Sequence, residues 1–176
     1  MITAEAPLSI SSREYAEASD FLLLEAEMLD DLREREWLET MVSHDVVYQL
    51  PLRETVERAR GRGFVPGTYH LNENYGSLSS KVARNETPYA WAEDPPSRLR
   101  HFITNVRVRT TEDPDVLAVR SNALIYRTRQ EQTNAQILSG ERHDLLRREE
   151  GRLKLLERVV YLDLTVIGTH NLSLFF

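Results

Sequence analysis

Five histidines, His44, His70, His101, His143 and His170, are the side chains best suited to move a proton near neutral pH or to hold a metal ion. None stands in a His-Glu-x-x-His arrangement or another familiar metal-ligand spacing. His143 and Asp144 are adjacent in a stretch that reads as a strand. Successive strand side chains leave on opposite faces, so one ion cannot easily take both. In a small domain whose sheet curls into a cone, Asp45, Tyr48, His101, Tyr126 and Asp163 could converge on an interior cavity, with a histidine or aspartate as general base. The plainer alternative is that buried Tyr and His satisfy each other's hydrogen bonds. There is no Gly-x-Ser-x-Gly elbow, no Gly-rich phosphate loop and no dinucleotide fingerprint, and Gly61-Arg62-Gly63 is too short to stand for one.

Two further segments carry chemistry of a different kind. Between Trp91 and His101, the residues Trp91, Asp94, Pro95, Pro96, Arg98 and Arg100 pack aromatic, acidic, stiff and basic groups into one connection. Adjacent prolines reduce the entropy lost when a loop orders, and the arginines offer charge-assisted, bidentate contacts. Such a segment either braces a loop against the following strand or makes a rigid contact with another protein, since Trp and Arg are favoured interface anchors. The last residues, Asn171 to Phe176, close the sequence on Phe175 and Phe176. Two phenyl rings at a terminus must be covered, by this domain's own core or by a neighbouring subunit.

Composition narrows the classes. The absence of cysteine removes disulfides, thiolate catalysis, Cys-ligated zinc and iron–sulfur clusters from this chain. It also fits a reducing cytoplasm. A net charge of -6, with arginines interleaved among acids, argues against a nucleic-acid partner. No apolar run approaches the roughly 20 residues of a membrane span, and the first residues lack the pattern of a signal peptide. A cytoplasmic protein with neither a nucleic-acid nor a membrane partner is expected.

The elements that must position these groups follow from periodicity. Residues 1–10 show none and read as a flexible arm, leaving 11–176 as one domain. Ser11 and Glu14 have capping-box spacing ahead of a helix from Tyr15 to Leu32, with Ala18, Phe21, Leu22, Leu24, Met28 and Leu29 on its apolar side. Acids including Glu17, Asp20, Glu25 and Glu27 are assigned to its other face. A short helix over Arg35–Val42 buries Trp37, Leu38 and Met41, and a strand follows over Val46–Leu52. Arg53–Gly67, with its glycines and Pro66, reads as a long mobile loop, and Tyr75–Arg84 as another helix. Long strands then dominate: one from His101, one over Val116–Arg129, one over Ala135–Arg148 and one over Arg152–Ile167. In the first, Phe102, Thr104, Val106 and Val108 share one face. Helices first and an antiparallel meander after them give an α+β fold, with a curved, mainly antiparallel sheet around the N-terminal helices.

Several of these stretches together resemble the small (β) subunits of aromatic-ring-hydroxylating dioxygenases, a family that includes the biphenyl, naphthalene and phenylpropionate enzymes. The resemblance rests on Trp91–Arg98 before Arg100-His101, on Glu25–Asp30, and on Val119–Asn122 with Tyr126-Arg127. Gly140–Arg142 leading to Asp144–Arg147, then Leu162-Asp163, Asn171–Ser173 and Phe175-Phe176, complete it in order. Arg53–Ser80 departs from the pattern. The resemblance implies a cystatin-like cone and a mainly structural role with no catalytic, cofactor or metal site in this chain. It also implies a catalytic large (α) subunit as partner, holding a Rieske 2Fe-2S cluster and a mononuclear iron, and a trimer of this chain within an α3β3 complex. Electrons would come from NAD(P)H through separate proteins. The residues alone leave open a stand-alone cone-fold isomerase or dehydratase, or a small-molecule-binding module.

Overall fold

Helix α1 (Arg13–Asp30) starts where Ser12, in extended backbone, accepts the Tyr15 amide at 3.2 Å. The cap is therefore one residue later than the Ser11–Glu14 spacing suggests. The computed structural model describes residues 4–87, 95–168 and 172–176. The helix stops in a Schellman turn. The Arg33 amide reaches the Met28 carbonyl at 2.8 Å while Leu32 takes a left-handed φ of 59°. That turn reverses the chain into α2 (Glu34–Met41), which buries Trp37, Leu38 and Met41 as its spacing requires.

Strand β2 (Val42–Arg53) runs directly out of α2 and pairs with β3 (Phe64–Glu73). The last four residues of the expected mobile loop, Phe64–Gly67, are thus strand. They lie at the sheet edge, where Pro66 and Gly67 interrupt no inner ladder. Helix α3 (Tyr75–Asn85) follows, capped by Asn74 and Ser77 reciprocally. At the other edge, β1 (Ala4–Pro7) occupies part of the expected arm and pairs antiparallel with β4 (Arg98–Thr111). Strands β5 (Val116–Thr128), β6 (Gln136–Glu149) and β7 (Arg152–Leu162) complete a meander. Glu150 and Gly151, both at positive φ, make the two-residue turn between β6 and β7.

The order across the seven-stranded sheet is β1-β4-β5-β6-β7-β2-β3, antiparallel throughout except for the β7–β2 pair. The helices lie against its concave side, α1 mainly over β4. The architecture is α+β, a curved sheet wrapped on N-terminal helices.

Strand β4 does not keep one face from end to end. Its pairing with β5 slips between Thr104 and Arg107, and Asn105 sits at φ 54° in the slip. This bulge changes the parity of the alternation. His101 and Ile103 point inward before it, Val106 and Val108 after it, and Phe102 is left 54% exposed on the outer side. Gly140 on β6 is needed for a close approach, because a Cβ there would lie 2.7 Å from the Tyr161 carbonyl oxygen.

One apolar cluster joins the three helices to β2 and to β4–β7 around Trp37, Leu22 and Leu146. A second, around Leu50, Ile125, Leu138 and Phe176, closes the other end of the cone. Burying each such leucine or phenylalanine contributes about 1.5–3 kcal/mol relative to exposure.

Candidate functional site

The interior of the cone is built on four charged side chains with almost no exposure: Glu25 on α1, Arg142 and Asp144 on β6, and Arg158 on β7. Glu25 lies four residues after Phe21 and four before Leu29, so α1 carries it inward on the apolar stripe. Its Oε1 accepts from Trp37 Nε1 at 3.0 Å and Arg158 Nη1 at 2.9 Å. Its Oε2 accepts from Arg158 Nη2 at 2.8 Å and Arg142 Nη1 at 3.3 Å. Asp144 takes Arg158 in a bidentate grip, from Nε and Nη2, both at 2.8 Å. Arg142 Nε also donates to Ser121 Oγ at 3.3 Å, while its Nη2 has no hydrogen-bond partner among the described residues.

These contacts decide what the interior can do. Burial pushes the Glu25 carboxyl up, but Arg158 and Arg142 beside it pull harder, and it lies below the usual carboxylate range. With two donors on each oxygen, it has no lone pair placed to take a substrate proton. Burial lowers the affinity of Arg142 for its proton, reinforced by Arg158. Arg158 moves the other way: burial lowers it, and Asp144 and Glu25 more than compensate. Tyr48, pushed up to about 12 by burial, stays a neutral phenol. Its hydroxyl is engaged by the last residue, donating to the Phe176 carbonyl at 3.0 Å and accepting the Phe176 amide at 2.7 Å.

His101 is held from two sides. Its Nδ1 lies 2.6 Å from Asp30 Oδ1, and its Nε2 donates to the Phe175 carbonyl at 3.1 Å. Tyr48 and His101 therefore meet only through the Phe175-Phe176 segment. The other three pocket candidates lie elsewhere. Asp45 is exposed and pairs with Arg147 at 2.7 Å. Tyr126 stands on the outer sheet face, 41% exposed. Asp163 accepts from Ser139 Oγ at 2.9 Å and lines an outer groove with Arg62, Phe102, Leu124 and Glu141. A separate cleft of about 420 Å³ lies between α2, α3 and the start of β4, and neither Tyr48 nor His101 lines it.

The contact candidates divide in the same way. Trp91 and Asp94 lie outside the described residues. Pro95 and Pro96 are exposed, as are Arg98 and Arg100 at the start of β4. Phe175 and Phe176 are covered by the chain's own core, with the Phe175 ring 4.7 Å from that of Trp37. The outer sheet face has its own apolar block, because Phe102 pairs across to Leu124, and Tyr126 to Ile137. Beside it, Glu141 is gripped by Arg120, Arg62 and His143.

Sequence reasoning put Glu25 on the solvent face and did not find the ion network at all. The signal was there: Glu25 falls on the α1 stripe, and Arg142 and Asp144 fall on the inward parity of β6 with Leu138 and Leu146. Leu24, assigned to the apolar side, is instead 40% exposed.

This architecture and these residues match a known group. The family described as "Ring hydroxylating beta subunit" aligns with residues 24–169. The chain belongs to that family. A naphthalene 1,2-dioxygenase structure with indole bound in its active site contains a chain 31% identical to this one. The match covers 94% of this chain and 89% of that one, with a TM-score of 0.81. The β subunit of benzoate 1,2-dioxygenase from Burkholderia mallei is 23% identical over 84% of this chain and 89% of its own, with a TM-score of 0.68. A Novosphingobium aromaticivorans protein named as a scytalone dehydratase shares the cone fold at 13% identity and a TM-score of 0.64, over 90% of this chain and 89% of that one.

A ring-hydroxylating dioxygenase β subunit implies an α-subunit partner, and in this family the cofactors sit in that α subunit. The residues of this β subunit do not fit either iron group. It has no cysteine for a Rieske cluster, and no group of three or more His, Asp or Glu among the described residues could hold a metal ion. Nor is any helix among them long and apolar enough to cross a membrane.

Proposed function

We propose that this β subunit performs no chemistry and acts in aromatic-compound catabolism by holding catalytic α subunits together. It does so as a trimer within an α3β3 complex in the cytoplasm. The Rieske cluster and the mononuclear iron belong to the α subunits, which take electrons originating from NAD(P)H. The observation that carries this reading is the occupied cone. Where a cone-fold enzyme needs a water-accessible base, Glu25 is saturated by Trp37, Arg142 and Arg158, and Tyr48 and His101 are spent on Phe175 and Phe176. The outer block of Phe102, Leu124, Tyr126 and Ile137, with Arg98 and Arg100 beside it, supports a role in contact rather than catalysis.

The test is co-expression with a ring-hydroxylating dioxygenase α subunit, with mass measured by light scattering and dihydroxylation by product analysis. The expected result is a complex of three pairs that oxidises an aromatic substrate, and a purified β subunit that turns over nothing. Turnover by the β subunit alone, or failure to associate with the α subunit, would sink the reading.

A further inference from the structure

Residues 172–176 form neither helix nor strand. Among the described residues, no main-chain hydrogen bond joins Leu174, Phe175 or Phe176 to the main chain of another element. Side chains from four elements hold the segment instead. Besides Tyr48 and His101, Arg158 Nη1 donates to the Phe176 carbonyl at 2.6 Å. Lys81 Nζ donates to the Leu174 carbonyl at 3.0 Å and sits 4.7 Å over the Phe175 ring. Asn85 Nδ2 donates to the Ser173 carbonyl at 3.4 Å.

Most of these donors are oriented by groups that the segment does not supply. Arg158 is fixed by Glu25 and Asp144, His101 by Asp30, and Asn85 by Glu34 at 2.9 Å. The segment gives Phe175 to the larger apolar cluster and Leu174 and Phe176 to the smaller one; without them the first keeps Trp37, Leu22, Leu38 and Leu146, and the second keeps Leu50, Ile125, Leu138 and Val160. A slot with side-chain donors aimed at successive carbonyls, and apolar walls for two adjacent rings, has the construction of a peptide-binding site.

We infer that the cone interior is a binding site for an extended peptide segment with two adjacent aromatic residues, and that Leu172–Phe176 occupies it as a tethered ligand. This does not depend on the assembly role. The segment is separable from the body that holds it, and a peptide of the same pattern can take its place.

The test uses the full chain with a specific protease site in place of residues 169–171, folded first and then cut. The expected result is a body that stays folded, retains the freed segment and exchanges it for excess labelled peptide with the sequence of residues 172–176. Trp37 fluorescence reports the exchange. A peptide with the two phenylalanines separated binds at least roughly tenfold more weakly, and Tyr48→Phe in the body weakens the matched peptide by about tenfold, the loss expected for a paired buried hydroxyl. Unfolding on cutting, failure of the peptide to enter, equal binding of the rearranged peptide, or unchanged affinity in Tyr48→Phe would each overturn the inference.

Discussion

Strand β6 carries two ion clusters back to back. Glu141 and His143 face outward, where Arg62, Arg120 and His143 close on Glu141, while Arg142 and Asp144 face inward to Arg158 and Glu25. Both clusters pair carboxylates with two arginines, and the consequences differ. Outside, both arginines are more than half exposed, so their charges are screened and the pairs contribute at most about 1 kcal/mol each. Inside, none of the four charges reaches water. Each has been desolvated at a cost that only the complete set offsets. The inner cluster is sealed in the core, and the outer one borders solvent.

The comparison breaks most sharply at Glu25. Glu25→Ala leaves Arg142 and Arg158 short of a carboxylate in a dry interior and should cost about 3–5 kcal/mol in urea unfolding. A loss below about 1 kcal/mol would mean that water or rearrangement reaches the inner set. Lys81 gives an intermediate case readable by pH. Burial lowers its ammonium to about 8, against an opposing pull from Glu73 and Glu34. The unfolded chain therefore binds more protons than the folded one above pH 8, so stability should rise with pH from there until the unfolded lysine also titrates. Lys81→Met should remove that rise, and a rise of equal size in the variant would assign it to other groups.

Glu141 tests the outer cluster. Burial pushes its carboxyl up, but hydrogen bonds from Arg120, His143 and Arg62 bring it down to about 2. A depressed carboxylate contributes stability above its unfolded value, lost as pH falls toward 2. Glu141→Gln should flatten that acid limb and cost about 1–3 kcal/mol near neutrality, a loss that shrinks in molar salt. The smallest effect on folding belongs to the apolar block. Phe102→Ser with Ile137→Ser should change unfolding free energy by roughly 0.5 kcal/mol or less per site, while lowering the yield of α–β complex in co-purification. Full assembly by that variant would remove the outer face from the contact surface.

The sequence showed the helices clearly, because α1 and α2 repeat their apolar residues at helical spacing, and the meander through long strand-like stretches set between turn residues. It was misleading wherever a single residue changes parity or a polar side chain is buried by pairing. Asn105 reverses the faces of β4, which an unbroken alternation cannot express. Glu25 looks solvent-facing to any scale that treats a carboxylate alone, since its burial depends on arginines more than a hundred positions away. Strand β3 was hidden because Pro66 and Gly67 are breakers in a central strand but tolerable on an edge. The pocket candidates failed as a set for a simpler reason. Asp45 and Tyr126 lie on outward parities, and only Tyr48 and His101 share the interior.

The one parallel seam, β2 against β7, also dictates an order of events in folding. The β4–β7 meander joins neighbours in the chain and can assemble early by short loop closures. The seam instead unites Val42 with Leu155. In a growing chain β2 precedes β7, so its seam edge stays bare and Glu25 stays without Arg142 and Arg158 until β6 and β7 follow. That late-closing interval is when a nascent β subunit is most open to mispairing with another chain, so its yield should depend on temperature and synthesis rate more than its final stability suggests.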